Sequence, residues 1–235
     1  MKAAAVLGVG PGLGAAIARR FAAEGFALAL MARREESVAA VREQIEAVGG
    51  EALPIPTDAT DPDSVAASFE RVRNELGDPE VFVYNAGAFQ MGGVLEVSPA
   101  KFDECFRANC AGAFYAAREV LPAMVEAGHG TILLTGASAA LRGRARFSAL
   151  AVGKFGLRAL AQSMAREFGP QGIHVSHVII DGQINTPRIG EMMPGREEHT
   201  LLSPDAIAET YWQLHSQDRT AWTLESDLRP SVESF

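Results

Sequence analysis

The run Gly8-Val9-Gly10-Pro11-Gly12-Leu13-Gly14 constrains this chain more than any other stretch. It follows the unbroken apolar segment Ala3–Leu7, which reads as a buried strand, and precedes Ala15-Ala16-Ile17-Ala18, a good helix start. Where a strand turns into a helix through glycines, backbone N–H groups can approach a phosphate closely because no Cβ stands in the way. The helix N-terminus adds positive potential at the same point. A glycine pattern alone is weak evidence. In this strand–turn–helix context it predicts that Gly8, Gly10, Gly12, Leu13 and Gly14 hold the pyrophosphate of a dinucleotide.

The rest of the chain continues the alternation. Strands are predicted at Ala27–Met31, Ala52–Ile55, Val81–Tyr84, Thr131–Leu134, His174–Ile180 and Trp222–Leu224. Most are continuous apolar runs, as parallel strands covered on both faces require. Between them lie helical stripes: Val38, Val41, Ile45 and Val48; Val65, Phe69, Val72 and Leu76; Leu157, Leu160, Met164 and Phe168. Asp61-Pro62, Ser98-Pro99 and Ser203-Pro204 mark helix starts. The pattern predicts an α/β, Rossmann-type doubly wound parallel sheet of about seven strands, with helices on both faces. With 48% apolar residues and no linker or repeat, residues 1–235 are expected to form one domain. The stretch of about 182–203 lacks clear periodicity and carries Gly182, Pro187, Gly190, Pro194 and Gly195. A loop after a late strand is predicted to cover the substrate side of the crevice.

A formal net charge of -8 argues against nucleic acid or an anionic membrane as the main partner. No apolar run approaches a membrane span. Lys2 with the apolar residues after it imitates a secretory segment, but the glycines and a helix bearing Arg19 and Arg20 favour a buried strand. Cys105 and Cys110 make neither a disulfide framework nor a CxxC motif, so a cytoplasmic protein is expected. Both read as small apolar residues of one long helix. His174 and His177, three apart on a strand, point to opposite faces and are poor partners for one metal; no metal site is expected.

The second strand ends Leu30-Met31-Ala32-Arg33-Arg34, without the acid that usually bonds a ribose 2′-hydroxyl. A tip carrying Arg33 instead suits a 2′-phosphate, which predicts NADP(H) in preference to NAD(H).

With these residues in view, the chain resembles the short-chain dehydrogenase/reductase family over most of its length. The spacing Gly8-x3-Gly12-x-Gly14 fits that family's turn. Asp58 matches the acid placed against the adenine, Asn85-Ala86-Gly87 the motif after the fourth strand, and Asn109 the helix asparagine. Lys154 opens a stretch similar to the family's active-site helix. Asp181-Gly182-Gln183-Ile184-Asn185-Thr186 is similar to the segment whose threonine, here Thr186, meets the nicotinamide amide. The resemblance implies a carbonyl/alcohol oxidoreductase, a small-molecule substrate, and a homodimer or homotetramer. The chain past Trp222 departs from the family pattern.

The resemblance also implies a catalytic set, and this sequence breaks it. The family pattern is Tyr-x3-Lys, in which tyrosine exchanges the proton and lysine bonds the nicotinamide ribose. Here Lys154 is present and Leu150 occupies the expected tyrosine position. The family's serine spacing lands on Ala137, whereas a one-residue deletion in the following loop puts Ser138 there; Ser138 is the nearest hydroxyl. The expected set is therefore Asn109, Ser138 and Lys154, with a non-standard proton donor. The rival is a cofactor-binding protein without catalysis, a sensor or partner subunit; an isomerase or dehydratase on the same fold is a third reading. Arg142, Arg144 and Arg146 make a local basic cluster before Lys154, so an anionic substrate group is a further expectation.

Overall fold

A computed structural model of the protein describes residues 2–233. The elements alternate as β1 (Ala3–Leu7), α1 (Leu13–Ala23), β2 (Ala27–Ala32), α2 (Glu36–Glu46), β3 (Ala52–Pro56), α3 (Pro62–Leu76) and β4 (Pro79–Tyr84). There follow α4 (Pro99–Phe106), a π turn (Arg107–Ala111), α5 (Gly112–Ala127), β5 (Gly130–Thr135), α6 (Ser148–Phe168), β6 (Ile173–Ile180), α7 (Pro187–Met192), α8 (Pro204–His215) and β7 (Glu225–Leu228). The strands form one seven-stranded sheet in the order β3-β2-β1-β4-β5-β6-β7. Every pairing is parallel. The order reverses between β1 and β4, where Leu7 pairs with Tyr84, and a crevice opens beyond their C-terminal ends. Pro54 and Pro56 sit in β3, an edge strand, where a missing N–H costs no ladder bond on the open side.

Alternate residues of the central strands face opposite layers. Val6, Leu28, Leu30 and Val83 pack with Ile17, Phe21 and Tyr211 under α1, α2 and α8. Ala5, Leu7, Met31 and Phe82 pack with Phe69, Val120 and Leu157 under α3, α5 and α6. Each fully buried Leu or Phe contributes roughly 1.5–3 kcal/mol. The three predicted helix starts are capped as their sequences dictate: Asp61 accepts from Asp63 N, Ser98 from Lys101 N and Ser203 from Ala206 N, each with proline next.

Three details differ from the sequence reading. The last strand is Glu225–Leu228, and Trp222–Leu224 precede it. Trp222 instead stacks on His174 with ring centroids 4.9 Å apart, so its apolar face is covered by a side chain and not by a ladder. Val48 lies beyond the end of α2 and is exposed, because Ala47 is the C-cap. The stretch 182–203 is more ordered than its composition suggests. It contains α7, capped by Thr186 accepting from Ile189 N, and Ile184 forms a parallel bridge with Leu202. No described helix is long and apolar enough to cross a membrane.

Candidate active site

A cleft of about 820 Å³ lies over the β1/β4 reversal and is lined by Gly8, Gly10, Arg33, Asp58, Asn85 and Gly87 among others. The first glycine turn is built by close backbone approach. Gly8 has φ +105°, and a Cβ there would stand 2.3 Å from Ala86 N. A Cβ on Gly14 would stand 2.6 Å from the Gly8 carbonyl oxygen, and one on Gly12 2.6 Å from Thr186 Cγ2. The turn is thus pressed between the end of β4 and the start of α7 at Gly8, Gly12 and Gly14, while a Cβ on Gly10 would meet nothing within 4 Å. Gly8 N and Val9 N both donate to Met31 O, at 2.8 and 3.1 Å, which ties the turn to β2. Leu13 begins α1, but its side chain belongs to the core; only its backbone faces the turn.

Arg33 and Arg34 line the same cleft just past the tip of β2, together with Ser37, so this end of the cleft presents cations and a hydroxyl. Asp58 is oriented by Thr60, whose N and Oγ1 donate to its carboxylate at 2.9 and 2.8 Å. Asn85 Nδ2 donates to Gly8 O at 2.9 Å, joining β4 to the glycine turn. Arg188, on α7, also borders the cleft; the composition of its stretch predicts a loop, although Thr186-Pro187 has the same form as Ser98-Pro99.

At the other end stand Asn109 and Lys154. Asn109 occupies the π turn, where Nδ2 donates to Ala88 O at 2.7 Å and Cys105 O at 2.9 Å. Its Oδ1 is buried and has no partner. A Cβ placed on Gly87 would lie 2.9 Å from that oxygen and 3.9 Å from Lys154 Nζ, so both groups face the space over Gly87. α6 approaches the π turn closely because Gly153 and Gly156 carry no side chain: a Cβ at Gly153 would stand 2.7 Å from Asn109 Cβ, and at Gly156 2.8 Å from Cys110 Sγ. Burial pushes both thiols, Cys105 and Cys110, up.

Lys154 is 7% exposed, and its ammonium donates to Thr135 O at 2.7 Å. Burial pulls its pKa down to about 8, because the low-dielectric surroundings disfavour the charge. Leu150 lies one turn earlier on α6 and contributes no titratable group. Two of the three tyrosines are committed elsewhere: Tyr84 Oη donates to Ala108 O at 2.8 Å, and Tyr211 Oη bonds Thr135 Oγ1 at 2.8 Å. Ala137 and Ser138 follow β5, both partly buried, and Ser138 opens a short 3-10 turn whose carbonyl accepts from Leu141 N and Arg142 N.

The three arginines of the basic cluster separate. Arg146, at φ +68°, makes a two-point pair with Glu96 at 2.7 and 2.8 Å and clamps the loop after β4 to the loop before α6. Arg142 reaches the buried Asp181 at 3.6 Å, a carboxylate also approached by Arg229 at 3.6 Å. Arg144 is exposed. His177 faces α6, and His174 lies against Trp222 on the opposite side of the sheet.

Comparison with known proteins agrees with this geometry. A short chain dehydrogenase family model matches residues 2–196. A short-chain dehydrogenase/reductase of Armillaria gallica is 35% identical over 189 residues, 79% of this chain and 72% of the relative. A solved short-chain dehydrogenase from Rhodopseudomonas palustris is 39% identical with a TM-score of 0.84, over 97% of this chain and 98% of that one. A metagenomic short-chain oxidoreductase solved in complex with NADP is 30% identical with a TM-score of 0.86, over 99% of this chain and 98% of that one. Family match, identity and sheet order together place this chain in the short-chain dehydrogenase/reductase family of oxidoreductases.

Proposed function

We propose that the chain, as one domain over 1–235, is an NADP(H)-dependent oxidoreductase acting on a carbonyl/alcohol pair, with a proton donor other than tyrosine. The observation that carries this reading is the pair formed by the buried Lys154 ammonium and the unpartnered Asn109 Oδ1, both facing the space over Gly87. A buried charge and an orphaned buried acceptor at the end of a glycine cradle are costly unless a polar ligand completes them.

The residues fit such a cofactor. Gly8, Gly10, Gly12, Leu13 and Gly14 would take the pyrophosphate, and Asp58 the adenine. Arg33, with Arg34 and Ser37 beside it in the cleft, would take a 2′-phosphate. Asn85, Ala86, Gly87, Lys154 and Thr186 would frame the nicotinamide half. When bound, the cofactor supplies the hydride. The chain's own part is to orient the substrate oxygen and deliver a proton to it. Leu150 cannot do so; Ser138, or a water held between Asn109 and Lys154, is the proposed source. General acid catalysis is typically worth about 10²–10⁴-fold, which sets the cost of an imperfect donor. One of Arg142, Arg144 and Arg146 would meet an anionic substrate group; Arg142 also pairs with Asp181 and Arg146 with Glu96, while Arg144 is exposed. A homodimer or homotetramer in the cytoplasm completes the reading.

Leu150 favours one second reading, an NADP(H)-binding protein without turnover. Fluorescence titration with NADPH and NADH, and a carbonyl panel assayed on wild type and Leu150→Tyr, separate the two. Wild-type turnover supports the enzyme. Tight binding without turnover, and activity gained in Leu150→Tyr, supports the binding protein.

A further inference from the structure

Thr135, the last residue of β5, uses both of its polar groups toward the cofactor end of the sheet. Its carbonyl accepts from Lys154 Nζ at 2.7 Å. Its hydroxyl lies 3.1 Å from Asn85 Oδ1 and 2.8 Å from Tyr211 Oη. Thr135 is 8% exposed and Tyr211 is fully buried, so water does not compete for these bonds. The direction of every proton in the chain is determined. Asn85 Nδ2 donates to Gly8 O, which leaves Asn85 Oδ1 as an acceptor. The Thr135 hydroxyl must therefore donate to it, and having one proton it can only accept from Tyr211. The order of donation is Tyr211 to Thr135 to Asn85 to Gly8.

The arrangement spans the sheet. Tyr211 comes from α8 on one face, and Lys154 from α6 on the other. Thr135 sits between them and fixes Asn85 and Lys154 at once. We infer that Tyr211 and Thr135 are positioning residues for the nicotinamide half of the cofactor site, so that α8, which contributes no lining to the cleft, sets the geometry in which Lys154 and Asn85 meet the ligand. This rests on the cofactor reading proposed above. Tyr211 acts only through Thr135; burial pushes its phenol pKa well up, in keeping with a neutral donor.

The test is binding of two probes, NADPH and adenosine 2′-monophosphate, to wild type, Tyr211→Phe, Thr135→Val and Thr135→Ser, with thermal unfolding alongside. Losing one neutral hydrogen bond from the network is expected to weaken NADPH binding about fivefold in Tyr211→Phe. Thr135→Val, which leaves Asn85 Oδ1 and Tyr211 Oη unpaired, is expected to weaken it about tenfold or more. Thr135→Ser should restore binding to near wild type, and adenosine 2′-monophosphate, which lacks the nicotinamide half, should bind all four alike. Equal weakening of both probes, NADPH affinity unchanged in Thr135→Val, or Thr135→Ser as impaired as Thr135→Val would overturn the inference. If Tyr211→Phe does not fold, the valine–serine pair decides it. Wild type that binds neither probe overturns the cofactor reading itself, an outcome distinct from any difference among the variants.

Discussion

The imidazole of His177 packs against the α-carbon of Gly136: a Cβ on that glycine would stand 2.3 Å from Nε2. Gly136 precedes Ala137 and Ser138, so the ring under β5 sets where the chain leaves the sheet toward the site. Gly136→Ala is expected to destabilise by about 1–3 kcal/mol, the usual range for overpacking. The loss should shrink in a His177→Ala background, where the ring is gone. Urea unfolding of the four members of this cycle measures the coupling; an equal effect of Gly136→Ala in both backgrounds would refute the contact.

The same histidine predicts a pH dependence. His177 is fully buried with neither ring nitrogen partnered, and burial lowers its pKa from 6.5 to about 4. Glu225 opposes this, while Lys154 and Arg158 add to it. The folded state holds the ring neutral, so its contribution is present above about pH 6.5 and is lost as pH falls toward 4. The full loss is on the order of 3 kcal/mol. Unfolding midpoints at pH 7 and pH 4.5 should differ more for wild type than for His177→Asn, and a parallel fall in both would assign acid sensitivity elsewhere.

Arg33 tests the cofactor preference. If its guanidinium meets a 2′-phosphate, Arg33→Ala should weaken NADPH by about 10- to 100-fold, the range for a charged hydrogen bond, and leave NADH nearly unchanged. A uniform loss for both nucleotides would remove the assigned preference.

Gly12 and Thr186 are in mutual contact across the cleft-side turn. Gly12→Ala puts a methyl within 2.6 Å of Thr186 Cγ2 and should push α7 off the glycine turn. Thr186→Ser removes that Cγ2 and keeps the hydroxyl that caps Ile189 N. The double variant is therefore expected to regain part of the melting temperature lost by Gly12→Ala. No recovery would mean that the backbone at Gly12, and not its neighbour, excludes a side chain.

The parts legible in the sequence are those governed by local rules. Ala3–Leu7 with the glycines after it, and proline after Asp61, Ser98 and Ser203, fix strands, turns and helix starts from neighbours in the chain. Thr186-Pro187 carried the same signal, but the glycines and prolines around it masked α7. The remainder depends on partners distant in sequence. Nothing near Thr135 announces Tyr211, and nothing near Arg146 announces Glu96. Trp222–Leu224 shows the converse: an apolar run that resembles a strand is stacked on His174, while the polar Glu225–Leu228 pairs with β6 because Glu225 has Arg158 to bond at 2.6 Å.

The π turn at Arg107–Ala111 decides how residue spacing translates into facing between α4 and α5. A π turn fits one additional residue into about the rotation of an α turn, so later side chains lie about 100° from where a regular helical count would put them. Cys105 and Gly112 therefore do not share the phase that their spacing implies, and the buried faces of α4 and α5 are set independently of each other. Deleting a single residue there would return the helix to regular pitch and leave α5 nearly in its place against α3, but would remove the widened turn. The effect is local: the widened turn holds Asn109 between α4 and α5 without re-aiming either helix.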